Sequence, residues 1–455
     1  MIMKRLYALT ILPVIALLLG TTVPASAIEI KEVVSPGGVI AWLVKDHSVP
    51  LISIEFEFKG GASSDPDDRQ GLAYLASGLL NEGAGDMDAK AFQTRLDDLA
   101  VRLYFDASAD QLSGSMRTLS ENAEEAFELL GMSLMAPRFD QDAINRVRQQ
   151  IWSIQRREAE RTRSVAAKAW MKTSFGDHPY GKNRKGTAES IGRISQADLQ
   201  SYIQKHFALD NVIIGVVGDV DAETLGEYLD AAFAELPEEA DRPAIAQTSA
   251  AQTFDIQVIE RDVPQSAVVF GTKGLKRSDP DWYTALLVNY TLGGGGFSSR
   301  LMEEVRRKRG LAYGVSTYLA PREHASLFMG SVATQNARVG ESITVIRDEI
   351  SRMATDGITA EEMNDAKTYL TGSYPLRFDT SGAIAGQLVG IQRYGLGMNY
   401  VDRRNDYINA IGIEQVNRVA ARILREENLF WVIVGKPESL PADMTIAPNT
   451  QPTSN

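Results

Sequence analysis

Cysteine is absent from the chain. That excludes disulfides, a thiol nucleophile and a lipid anchor on an N-terminal cysteine, so burial alone must hold the fold. Histidine is nearly as scarce. The four are His47, His178, His206 and His324, and no two stand three to five residues apart. None therefore makes the local pair with which a helix clamps a metal. Net positive charge is also lacking: 47 Lys and Arg stand against 59 Asp and Glu, a formal charge of −12. That disfavours nucleic acid or an anionic membrane surface as a general partner. No Gly-x-Ser-x-Gly occurs, and no histidine stands in a motif that would activate a serine.

Long apolar runs are confined to the start. Lys4 and Arg5 precede an apolar stretch from Leu6 to Leu19, and Ala25-Ser26-Ala27 fits a small-residue cleavage site. The run is short of the roughly 20 residues a membrane helix needs. Residues 1–27 therefore read as a signal peptide, with the mature chain starting at Ile28. With cysteine absent, a soluble periplasmic protein is expected, with no membrane span once the signal is removed.

What is present is an ordinary globular composition, 44% hydrophobic and 23% charged, over 455 residues. That length calls for more than one core. Residues 28–236 read as one unit and 255–440 as a second. The Pro/Ala/Gln-rich stretch 237–254 reads as a linker, and 441–455 as a disordered tail. The units look like copies. Ile194 leads a helix that ends before Val212–Gly218, and Ile411 leads one that ends before Phe430–Gly435. The two starts are as far apart as the two final glycines, the mark of duplication.

Gly38–Val44 and Leu51–Phe58 read as strands joined in a hairpin by a turn at Asp46–Pro50. In the second, Ile52, Ile54, Phe56 and Phe58 alternate with Ser53, Glu55 and Glu57, the pattern of a half-buried strand. Helices are expected at about 71–82, 88–100, 120–134 and 140–173. Thr359 and Glu362 form a capping box that starts another. Strands mixed with packed helices predict an α+β fold rather than a doubly wound parallel sheet.

The helix from Gly71 to Gly83, GLAYLASGLLNEG, stands after paired strands and resembles the pitrilysin/insulinase metallopeptidase family. In that family this helix carries His-x-x-Glu-His, two zinc-binding imidazoles one turn apart with a glutamate base between them. Here the three positions are Tyr74, Ser77 and Gly78, none of which can replace its counterpart. The family's third ligand falls in Ile151–Gln155, which holds no carboxylate, with Glu158 just beyond. The resemblance therefore implies no zinc site in this chain.

The second unit reads LGGGGFSSRLMEEVRRKRGLAYGV from Leu292 to Val315. A glycine-rich turn, a helix and Arg-x6-Tyr in this order resemble the same family's C-terminal lobe. The pair here is Arg306 and Tyr313, which in the family reach a metal-bound peptide. Arginine offers a fork of donors and tyrosine a hydroxyl, both suited to a peptide carbonyl and its oxyanion. On spacing alone, Arg306 could equally be one member of a solvated basic face with Arg307, Lys308 and Arg309. Gly293, Gly294, Gly295 and Gly296 could touch substrate or simply turn the chain; no Gly-Lys-Ser/Thr follows, which excludes a phosphate loop.

The resemblance implies two homologous lobes in a clamshell, each a mainly antiparallel sheet on helices. It also implies a heterodimer with a zinc-bearing paralogue that cleaves peptides, this chain binding no metal itself. Two alternatives stand beside it: a chaperone-like clamshell that captures peptides without cutting, and a structural assembly subunit.

Overall fold

The computed structural model describes residues 28–250 and 255–447. The signal segment expected at 1–27 lies outside the described residues. The first sheet is built from β1 (Ile30–Val34), β2 (Ile40–Lys45), β3 (Leu51–Lys59), β4 (Arg102–Ala107), β5 (Gln111–Leu119) and β6 (Val212–Gly218), in the order β1-β2-β6-β3-β5-β4. The second is built from β7 (Ile256–Glu260), β8 (Gln265–Lys273), β9 (Ala312–Pro321), β10 (Ser326–Gln335) and β11 (Phe430–Gly435), in the order β9-β10-β8-β11-β7. In the first, the last strand β6 inserts between β2 and β3, and in the second the last strand β11 inserts between β7 and β8, each parallel to one neighbour and antiparallel to the other.

That insertion corrects the expected hairpin. β2 and β3 do not pair; β6 lies between them, and β2 pairs antiparallel with β1 instead. The reason is the chemistry of β6. Val212–Gly218 is apolar on both faces, and burying it requires a central position. Duplication extends to packing. The Phe56 ring fills the space a side chain at cross-strand Gly114 would need, and the Phe270 ring does so at Gly330.

The first sheet packs against α1 (Leu72–Ser77), α2 (Ala89–Asp98), α3 (Ala123–Met135), α4 (Gln141–Glu160), α6 (Ala188–Arg193), α7 (Gln196–His206) and α8 (Ala222–Phe233). The second packs against α9 (Trp282–Asn289), α10 (Val339–Asp356), α11 (Ala360–Gly372), α13 (Tyr400–Asn409) and α14 (Ile413–Ile423). Two helices cross over. α5 (Thr162–Phe175) lays Ala166 and Trp170 on the second sheet against Val269, Phe430 and Val432, and the Trp170 Nε1 donates to Phe430 O at 3.0 Å. α12 (Ser381–Arg393) lays Ala385, Leu388 and Ile391 on the first sheet against Trp42, Val44 and Val217.

The exchange explains two departures from expectation. The helix expected over 140–173 is two, because Arg161 is extended (φ −80°, ψ 110°) and turns the chain from one lobe to the other. β3 is not half-buried. Its polar face lies under α12, where Arg393 Nε donates to Glu57 Oε1 at 2.6 Å and the Glu57 side chain is 1% exposed. The linker is tied down where it is described: Leu209 N–H donates to Pro237 O and Thr248 N–H to His324 O. At the start of the tail, Ile446 bridges Ile256 and Arg347 pairs with Asp443. No helix among the described residues is long and apolar enough to cross a membrane.

Candidate functional site

α1 is short because Gly78 ends its regular turns; Leu79 N–H already bonds three residues back, to Ala76 O. Asp65 starts it, accepting from Gly71 N–H at 2.7 Å and Ala73 N–H at 2.9 Å. On this helix none of the three expected metal positions is free to bind. The Tyr74 ring lies under the Lys185 ammonium, 5.3 Å from its centroid. The Ser77 hydroxyl donates to Tyr74 O at 2.9 Å. A Cβ on Gly78 would stand 2.9 Å from Val147 Cγ1 of α4, so packing has closed over that position.

The later helix is equally committed. Gln155 Nε2 donates to Lys185 O at 2.7 Å and Gly186 O at 3.1 Å, fixing the loop that delivers Lys185. Lys185 pairs with Glu158, and Lys168 joins the same carboxylate at 2.8 Å. Burial would raise the Glu158 carboxyl, but the bonds from the two lysines outweigh it and hold it below the usual carboxylate range. A lysine ammonium thus stands between Tyr74 of α1 and Glu158 of α4, the two stretches on which the ligands were expected. These residues do not fit zinc.

Beside them opens a cavity of about 780 Å³ bounded by α5, by the loop after Pro179–Gly181 and, from the other lobe, by Arg322. Next to it the β9–β10 turn meets the first lobe. The Tyr180 hydroxyl donates to Asp110 Oδ1 at 2.6 Å and accepts from His324 N–H at 2.9 Å. Asp110, Glu323 and His324 offer ligand atoms within 4.8 Å of one another. Sequence spacing could not show this cluster, because its members come from distant turns. Asp110 already accepts from Tyr180 and from Glu323 N–H, so the cluster serves as a joint between lobes. His178 is structural: its Nδ1 accepts from Tyr180 N–H and its Nε2 meets Ala246 O at 3.0 Å.

The second region of interest is on the other lobe. Between α9 and β9 the chain makes two π-helical segments, Tyr290–Gly294 and Met302–Lys308, a rare geometry that concentrates at functional sites. The glycines between them have packing reasons. A Cβ would meet Thr317 Oγ1 at 2.6 Å from Gly293, Asn289 Nδ2 at 2.5 Å from Gly294, and Tyr290 O at 2.8 Å from Gly295. Gly296 has φ +58°, which disfavours a side chain.

The basic run that follows divides sharply. Arg307 pairs with Glu303 at 2.7 Å, and Lys308 and Arg309 pair with Glu304 at 2.8 and 2.5 Å, holding the Glu304 carboxyl down at about 2. Arg306 makes no ion pair among the described residues. Its guanidinium covers the Phe297 ring at 4.7 Å and donates to Tyr313 O at 2.9 Å. Tyr313 sits in a β-bulge, where Tyr313 and Gly314 of β9 stand against one residue of β10. Bulges re-aim side chains, and Tyr313 is 83% exposed with no hydrogen bond to its hydroxyl among the described residues. Phe297, Arg306 and Tyr313 thus form an outward-facing patch. Neither Arg306 nor Tyr313 lines the cavity beside Lys185.

Comparison with known proteins bears on both regions. Residues 41–188 match the family model described as insulinase (peptidase family M16), and residues 193–370 that of the peptidase M16 inactive domain. The chain is 28% identical over 424 residues to the non-peptidase homolog YmxG of Helicobacter pylori, covering 92% of this chain and 97% of that one. It is 21% identical over 410 residues to an uncharacterized zinc protease, YmxG of Bacillus subtilis, covering 89% and 98%. Among solved structures, it superposes on a peptidase M16 inactive domain from Pseudomonas fluorescens with a TM-score of 0.84 and 28% identity, over 91% of this chain and all of that one. The two lobes share that protein's clamshell fold.

Proposed function

This chain belongs to the insulinase peptidase family, M16, and we propose that it is a subunit without metal, supplying Arg306 and Tyr313 to the active site of a zinc-bearing partner. The observation that carries this reading is the isolation of Arg306. Of four consecutive cations, three are neutralised by neighbouring glutamates, while Arg306 is held beside an exposed tyrosine by a backbone bond and an aromatic ring. A guanidinium left unpaired and positioned is ready for an anion that another molecule brings.

In the complex, the partner's zinc would supply the activated water. The Arg306 guanidinium and the Tyr313 hydroxyl then hold the peptide carbonyl and favour the charge that develops on its oxygen, without reorganising as it forms. The signal peptide expected at residues 1–27 supports a periplasmic location for the assembly in this reading. The occupied positions on α1 explain why the chain would not cleave peptides by itself. A second reading, a clamshell that captures peptides without cutting, draws support from the name of the Helicobacter pylori relative, a non-peptidase homolog. It requires no zinc-bearing partner.

Coexpression with a His-x-x-Glu-His relative encoded nearby separates the two. Complex formation, zinc content and peptide cleavage are measured for each chain alone and together. The pair is expected to cleave, and Arg306→Ala or Tyr313→Phe to slow turnover by about 10²–10³ with zinc still bound. Unchanged turnover in both variants would defeat the proposed role.

A further inference from the structure

Charges of both signs line the wall of the cavity of about 780 Å³. Each of its three carboxylates has hydrogen-bond partners, and one is paired with cations. Glu158 is paired with Lys168 and Lys185; Asp65 caps α1; Asp110 accepts from the Tyr180 hydroxyl and Glu323 N–H. A further lining cation, Lys182, is paired with Asp67. Three lining cations remain without an ion pair among the described residues. Lys172 donates only to Gly176 O, at 3.4 Å; Arg184 to Ala107 O, at 3.3 Å; Arg322 rests on the Tyr180 ring at 5.1 Å. Carbonyls and ring faces do not neutralise a positive charge. Six cations line the cavity against three carboxylates and the Asp67 partner of Lys182, so the cavity is electropositive within a chain whose formal charge is −12.

We propose that this cavity binds an acidic peptide segment. The three free cations belong to three elements: Lys172 to α5, Arg184 to the loop that also carries Lys185, and Arg322 to the β9–β10 turn of the other lobe. Charge spread over separate walls suits carboxylates spaced along a chain. A compact phosphate would need donors converging on one point. Between the cations the lining mixes apolar Ala109, Ala167, Met171 and Pro179 with neutral polar Ser108, Ser164 and Asn183, which suits the side chains and amides of a peptide. The volume is in the range of ordinary ligand sites. Both lobes contribute, so occupancy would also tie them together. In the two-subunit reading, on which this deepening rests, the cavity selects acidic stretches of the polypeptides delivered to the partner.

The test uses the full mature chain by itself and fluorescence anisotropy of three labelled peptides of equal length: Glu/Ala, Lys/Ala and Ser/Ala. The Glu/Ala peptide is expected to bind tightest and to weaken as salt rises. Lys172→Gln with Arg322→Gln should weaken it by about tenfold or more, and Arg184→Gln is read separately as a second variant. Thermal melts confirm that each variant folds. Equal binding of the three peptides, unchanged binding in the variants, or displacement of the acidic peptide by pyrophosphate at lower concentration than by unlabelled peptide would each overturn the proposal. Cleavage by the reconstituted pair is scored independently. A pair that cleaves with no acidic preference removes this inference and leaves the subunit reading; acidic binding with no cleavage does the reverse.

Discussion

Glu55 and Glu57 lie two residues apart on the same face of β3, and only one has a cation. Glu57 is bonded to Arg393, whereas the Glu55 carboxylate faces Gly382 of α12 with no counter-ion among the described residues. Burial pushes the Glu55 carboxyl up to about 7. In the unfolded chain it ionises near the ordinary value of about 4.3. Below that, both states are protonated and nothing is lost. Between there and pH 7 the unfolded state ionises first, so stability falls as pH rises, and the loss is complete above pH 7. Discounted for partial exposure, it amounts to about 1–2 kcal/mol. Glu55→Gln should melt higher than the parent at pH 8 and equally at pH 4; equal melting at both would show the carboxylate to be solvated. At this scale the zinc positions were legible from side-chain identity alone, since Tyr74, Ser77 and Gly78 cannot act as imidazole, carboxylate and imidazole. The isolation of Arg306 was not legible, because all four cations of the run look alike until their glutamate partners are placed.

Among elements, α5 departs most from what its sequence announces. Neither proline nor glycine marks the break at Arg161, so 140–173 reads as one helix. The break follows from where the apolar side chains on either side must go: Ile144, Val147 and Ile151 into the first lobe, Ala166 and Trp170 onto the second sheet. Trp170 is fully buried there and its indole bonds Phe430 O. Trp170→Ala should cost about 3–5 kcal/mol by chemical denaturation, from the cavity left and the orphaned carbonyl. A loss below about 1 kcal/mol would mean that α5 is only loosely laid on the sheet. Elements set by local chemistry were legible: the capping box of Thr359 and Glu362 forms as expected and starts α11. The pairing of β2 with β3 was misread, because adjacency in sequence favours a hairpin and the intervening strand lies more than 150 residues away.

Across the whole molecule, the exchange of α5 and α12 makes each lobe's sheet depend on the other half of the chain. The Glu57–Arg393 pair is the sharpest electrostatic expression of that dependence. Removing one partner strands a buried charge, so Arg393→Leu should cost about 3–5 kcal/mol, whereas Glu57→Leu with Arg393→Leu should recover most of the loss. A double variant as weak as the single would show that the pair itself, rather than the stranded charge, matters. Taken by itself, the sequence determined the family resemblance, the internal duplication, the α+β class and the lack of the family's His-x-x-Glu-His motif. Each of these rests on which side chains are present and in what order. Only the tertiary structure decided that the polar face of β3 is buried, that Lys185 stands over Tyr74 and pairs with Glu158, and that three cations without an ion pair among the described residues line one cavity. Those are relations between residues far apart in the chain. Burial and charge pairing depend on distance in space, which composition and periodicity do not encode.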